Sequence, residues 1–130
     1  MNKKMLEDFK SKQMIIECDK EIIMKELADM EENKKYFRNG IPSKLKESSN
    51  RYIEGIKDNI KRIASEQAEV VAAISSLASG DEKQDECLKK VLKFRFIDGL
   101  SIEGVGKAMN ISSMTVHRHL KKAYAILGVE

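Results

Sequence analysis

The chain has 130 residues, of which 24 are Lys or Arg and 21 are Asp or Glu, for a net charge of +3. Charged residues make up 35%, aromatics 5%, and there is no Trp. This balance excludes one large apolar core and, with a single Pro, favours long exposed helices.

Residues 3–37 contain no Gly or Pro and are rich in Lys, Glu, Met, Leu and Ile, which predicts one continuous helix. Its apolar stripe is Met5, Phe9, Ile16, Ile23, Leu27, Met30 and Phe37, widened by Ile15 and Ile22. Lys12 and Asp19 interrupt the stripe at heptad positions. The segment "RNGIPSKLKESSN", residues 38–50, breaks the helix. Gly takes left-handed angles at little cost, and the residue before Pro avoids the helical region. Ser48, Ser49 and Asn50 are candidate N-caps for the next helix.

In that second helix Ile53, Ile56, Ile60, Ile63, Gln67, Val70, Ile74 and Leu77 recur in steps of three and four. The run from Ile53 to Ile74 reads as a coiled-coil seam and the candidate oligomerisation surface. Gln67 either fixes register within the seam or reaches solvent at its edge. Two stripes joined by a turn fit an antiparallel hairpin with helices about 50 Å long; self-association of each stripe with a second copy fits equally. Ser79, Gly80 and Asp81 end the helix, so the expected division is residues 1–80, a hairpin for oligomerisation or partner binding, and residues 81–130.

Residues 82–97 predict a further helix, with Leu88, Val91, Leu92, Phe94 and Phe96 apolar and Asp98-Gly99 as its stop. Ser101 caps a short helix to about residue 109, with Ile102, Val105, Ala108 and Met109 inward. Gly104 and Gly106 lower its helix propensity by about 1 kcal/mol each, which fits close approach of another helix. Asn110 suits a left-handed turn, Ile111 plugs the corner, and Ser112 caps a last helix over residues 112–127. Val116, Leu120, Ala123 and Leu127 form its apolar face. Ser113, Met114, His117, Arg118 and Lys121 point elsewhere.

Charge is uneven along the chain. Residues 1–80 hold 15 Lys and Arg against 14 Asp and Glu, whereas residues 87–127 hold eight cations against Asp98 and Glu103. A basic helix-turn-helix is the pattern that enters the major groove, which displays a donor and acceptor code for each base pair. Ser113, Met114, His117 and Arg118 are the candidate base readers. Arg95, Lys107, Ser112, Thr115, Lys121 and Lys122 are the candidate phosphate contacts, which attract and position without specifying sequence.

Catalytic and metal chemistry have no support. There are no paired carboxylates, no nucleophile–base set, no Gly-rich phosphate loop, and so no cofactor site. His117 and His119, two residues apart, point to different sides of a helix. Cys18 and Cys87 share no motif, which suits free thiols in a reducing cytoplasm. No apolar run is longer than residues 70–74, and no apolar stretch follows "MNKKML".

The segment "VLKFRFIDGLSIEGVGKAMNISSMTVHRHLKKAYAIL" resembles region 4 of sigma-70-type factors. Arg95, Phe96, Gly99, Leu100 and Ser101 match its Arg-aromatic and Gly-Leu-Ser pattern. Glu103, Val105, Gly106, Lys107, Ala108, Ile111, Ser112, Thr115 and Val116 match its helix-turn-helix core. The ending "TVHRHLKKAYAILGV" is also similar to LuxR/GerE-type domains. The whole layout is similar to small regulators of Gram-positive phages and prophages, the ArpU/RinA-like late-gene activators. The resemblance implies an all-α fold, a coiled-coil-like hairpin followed by a region-4-like domain. It implies a transcription regulator that binds double-stranded DNA, with Ser113, Met114, His117 and Arg118 at the positions that touch the −35 element in sigma factors. Ser113 and Met114 stand where sigma factors commonly have Arg and Glu, so the usual −35 sequence is not the expected target. The hairpin would dimerise the protein or contact RNA polymerase. A small-terminase-like packaging protein and a protein-only sigma-like adaptor are the competing readings.

Overall fold

The computed structural model describes residues 1–129. These form six α-helices: α1 (Lys3–Glu7), α2 (Phe9–Asn33), α3 (Ser43–Ser75), α4 (Glu82–Leu92), α5 (Ile102–Met109) and α6 (Ser113–Leu127). A 3-10 turn over Lys34–Tyr36 follows α2, and a π turn over Lys93–Ile97 follows α4. The fold is all-α, as the periodicity predicts. The chain divides into two compact units, Gln13–Ser65 on one hand and Met1–Lys12 with Glu66 onward on the other.

The Gln13–Ser65 unit is an antiparallel pair of helices. Ile16, Ile53 and Ile63 are buried between them, with Ile23, Met30, Ile56 and Ile60 half-buried. The polar interruptions are matched across the pair. Asn59 Nδ2 donates to Asp19 Oδ2 at 3.1 Å, and Ser49 Oγ donates to Glu26 Oε1 at 2.7 Å. Asp19 is tolerated in the stripe because the facing helix supplies that amide. Glu26 is the half-buried residue near Leu27, and Leu27 itself is 52% exposed, contrary to the stripe expectation. Helix α3 starts at Ser43, several residues before the expected caps, because the Pro42 carbonyl accepts from the amides of Leu45 (3.0 Å) and Lys46 (3.1 Å). Ser48, Ser49 and Asn50 lie inside the helix.

The other unit has its own core. Leu6 and Phe9 near the start of the chain, and Val70, Ile74 and Leu77 at the end of α3, join Leu88, Val91 and Leu92 of α4 and Val116 and Leu120 of α6. The ends of the two long stripes are thus covered by the carboxyl-terminal helices. Gln67 is buried and donates from Nε2 to the Phe9 carbonyl at 3.1 Å. It is a register pin inside the chain, since a buried amide that keeps this bond avoids the cost of an unpaired polar group. Lys12 pairs with Glu66 nearby.

The helix expected over residues 3–37 is interrupted at Asp8, whose backbone is at φ −86°, ψ −4°. The Asp8 carbonyl accepts from both Ser11 Oγ and the Lys12 amide, each at 2.9 Å. Such hydroxyl bonding to a preceding carbonyl bends helices. After α3, Asp85 accepts from the Ser79 amide and hydroxyl while Asp81 caps α4 by accepting from the Gln84 amide at 3.3 Å. These bonds, the hydroxyl's first, hold the Asp85 carboxyl below its ordinary pKa.

Candidate nucleic-acid interface

Helices α5 and α6 are set by a dense series of local signals. Ser101 accepts from the Gly104 amide at 3.0 Å and Ser112 from the Thr115 amide at 3.2 Å, so each helix has a side-chain N-cap. Asn110 is left-handed at φ 58°, and the Ile111 amide donates to the Gly106 carbonyl at 2.9 Å, closing the turn. A Cβ at Gly106 would lie 2.7 Å from the Ile111 carbonyl oxygen. The close neighbour is the backbone of the turn itself, and not a second helix as the sequence suggested. At Gly104 a Cβ would meet only Ser101 Oγ and Leu100, again not another helix. Ala108, expected inward, is exposed.

Val105, Val116, Leu120 and Ala123 are buried where α5, α6 and the core meet. The opposite side of α6 is open. Ser113, Met114, His117 and Arg118 are all exposed, Met114 to 66%. Arg118 Nη2 lies 3.5 Å from Met114 Sδ, so the thioether lines up the guanidinium along the helix without occupying its charge. The predicted readers therefore share one accessible face over the first two turns.

The predicted phosphate contacts are more varied. Lys121 and Lys122 are exposed on α6. Lys107 is exposed with Glu103 at 3.5 Å, a surface pair worth little in water. The Ser112 and Thr115 hydroxyls are 2.9 Å apart at the amino end of α6. Arg95 is half-buried, donates from Nη1 to the Leu100 carbonyl at 2.8 Å and lies 5.9 Å from the Phe96 ring centre. Its first task is to brace the π turn and the entry to α5, which the sequence pattern alone does not reveal.

The oligomerisation set is placed differently. Ile53, Ile63, Gln67, Val70 and Ile74 are buried by the chain itself, and Ile56 and Ile60 are half-buried. The large apolar side chains that remain exposed in the Gln13–Ser65 unit are others: Met14, Ile15, Ile22, Met24, Leu27, Tyr36, Leu45 and Tyr52.

His119 faces away from the predicted base readers. Its Nε2 is 3.6 Å from Cys87 Sγ, and its Nδ1 is buried with no hydrogen-bond partner among the described residues. Burial first, then Lys122, lowers its pKa and favours the neutral ring. Tyr124 lies on the other edge of α6, its ring 6.3 Å from that of Phe96, and burial raises the pKa of its phenol. Lys3 Nζ sits 5.0 Å above the Tyr124 ring, bringing α1 against α6. Apolar periodicity along a single helix does not reveal this contact. The available signal was Leu6, which precedes Phe9 by one helical turn and is fully buried.

Among the described residues there is no cluster of three or more metal-binding side chains, and no helix is long and apolar enough to cross a membrane. Residues 85–127 match the family described as Sigma-70, region 4. No curated protein and no solved structure matches the chain. The matched segment carries the capped turn, the glycine at the close approach and the open face of α6. It is a sigma-70 region 4-like helix-turn-helix, a DNA-binding type of domain.

Proposed function

We propose that the protein is a sequence-specific transcription regulator of phage or prophage type that reads the major groove of duplex DNA with α6. The observation that carries this reading is the open face made by Ser113, Met114, His117 and Arg118, at the amino end of a helix that buries Val116, Leu120 and Ala123 on its other side. Lys107, Lys121 and Lys122, with the Ser112 and Thr115 hydroxyls, supply phosphate contacts around it; Arg95 adds charge beside the π turn. The phage assignment draws its support from the layout of a helical hairpin before a region-4-like domain. The hairpin serves dimerisation or contact with RNA polymerase, supported by the exposed Ile15, Ile22, Met24 and Leu27, which soluble surfaces seldom group without a partner. DNA binding and regulation, not catalysis, is the activity.

The test is a pair of substitutions measured on a duplex selected from a random pool and on scrambled duplexes. Arg118→Ala reduces discrimination by about 1–3 kcal/mol, as expected for loss of a bidentate contact to guanine. Lys122→Ala weakens binding to all duplexes alike and lowers the salt slope by about 0.9. If both leave binding unchanged, the groove assignment is wrong.

A further inference from the structure

We infer that the first helix of the chain belongs to the DNA-binding surface, with Lys3 and Lys10 contacting backbone phosphates beside the groove that α6 enters. This rests on the groove reading above and extends it to residues outside the region-4-like segment.

Residues Met1–Lys12 lie in the same compact unit as α4, α5 and α6. Leu6 and Phe9 are buried in its core, so α1 and the first turn of α2 are held in place and not trailing. Lys3 is thereby fixed above Tyr124. The Lys10 stem runs across Gly99, where a Cβ would come within 3.1 Å of Lys10 Cγ. Both ammonium groups are carried on anchored stems, which lowers the entropy lost when they meet a ligand.

Between α1 and α6 is an open cleft of about 580 Å³, whose lining includes Lys3, Arg95, His117, Lys121 and Tyr124. A second recess of about 190 Å³ continues past Glu7, Lys10, Arg95 and Gly99. His117 is one of the base readers, and Lys121 follows it one turn later on the same edge. The cleft is thus continuous with the reading face, on its flank. Among the residues lining the two recesses, Lys3, Lys10, Arg95 and Lys121 face one carboxylate, Glu7. The Lys3–Glu7 pair is 4.0 Å apart and solvent-exposed, too weak to cancel that surplus. A helix lying in a groove about 12 Å wide has phosphates along both flanks. Cations at the flank of the reading helix meet those phosphates. An acidic protein partner would have no reason to coincide with the reader edge.

The experiment uses the full chain and a duplex selected from a random pool, with affinity measured from 50 to 200 mM salt. Each phosphate contact contributes about 0.9 to the slope of log affinity against log salt. Lys3→Gln with Lys10→Gln is expected to reduce the slope by nearly two, so that wild type loses about twelvefold more affinity over this range than the variant does. Selected and scrambled duplexes weaken by the same factor. Lys3→Arg with Lys10→Arg keeps the wild-type slope, which separates charge from packing. Arg118→Ala is run in parallel. If Arg118→Ala changes sequence preference while the double Gln variant keeps the full slope, the arm is not on the DNA and the groove reading stands. A gain in affinity on removing the two lysines also overturns the inference. Failure of the wild-type chain to bind any duplex overturns the groove reading itself.

Discussion

Gly106→Ala puts the geometry of the turn to a sharp test. A Cβ at this position would lie 2.7 Å from the Ile111 carbonyl oxygen and 3.7 Å from Val116 Cγ2. The first distance is about 0.6 Å short of a normal carbon–oxygen contact near 3.3 Å. The clashing atom is backbone, so relief requires moving the Ile111–Ser112 turn that sets the start of α6. Overpacking of this kind costs about 1–3 kcal/mol. Replacing Gly by Ala inside a helix returns about 1 kcal/mol. The expected net loss is about 1 kcal/mol, which lowers Tm by about 3–5 °C for a chain of this size. On the proposed reading, affinity for the selected duplex falls as well, since Ser112 and the proposed base readers shift with the turn. Gly55→Ala is the control: it lies within α3 with nothing inside 4 Å of a new Cβ. That change is expected to stabilise by about 0.5–1 kcal/mol. Thermal unfolding followed by far-ultraviolet circular dichroism reads both. If Gly106→Ala raises Tm as Gly55→Ala does, close approach is not the reason for the glycine.

Three other outcomes are expected. Gln67→Glu sets a carboxylate against the Phe9 carbonyl, destabilising by about 2–3 kcal/mol at neutral pH; stability recovers partly in acid, where the protonated carboxyl again donates, and denaturant titration at two pH values checks this. Asp85 has a lowered folded pKa, so the stability it contributes is present above about pH 3.9 and is lost as pH falls through that value toward the folded pKa; Asp85→Asn removes that part of the acid dependence. His119 also has a lowered folded pKa, so the unfolded chain binds its proton first and stability falls as pH drops below about 6.5 toward the folded value; the slope of stability with pH in this window is smaller in His119→Gln.

The helix-turn-helix was legible in the sequence because its signals are local. Ser101, Asn110 and Ser112 each set the conformation of their own neighbourhood, and the structure uses each as a cap or turn residue. The open side of α6 followed from the spacing of Val116, Leu120 and Ala123. What the sequence hid depends on partners distant in the chain. Leu27 fits a helical stripe as well as its neighbours do, but the facing Ser49 bonds Glu26 instead. Arg95 reads as a free cation until Leu100 curls back to accept from it. Pro42 starts α3 through its carbonyl, which a reading of side-chain caps overlooks. The joining of residues 1–12 to the carboxyl-terminal helices came from three-dimensional burial of Leu6 and Phe9, to which periodicity along one helix is blind.

We propose that the exposed face of α6 lies against base edges in the major groove. Guanine methylation at N7 places a methyl group in that groove, so interference mapping on the selected duplex tests the claim most directly. The account predicts interference at discrete guanines, with one of those positions becoming silent in Arg118→Ala. Uniform insensitivity to N7 methylation, or an unchanged pattern in Arg118→Ala, contradicts it.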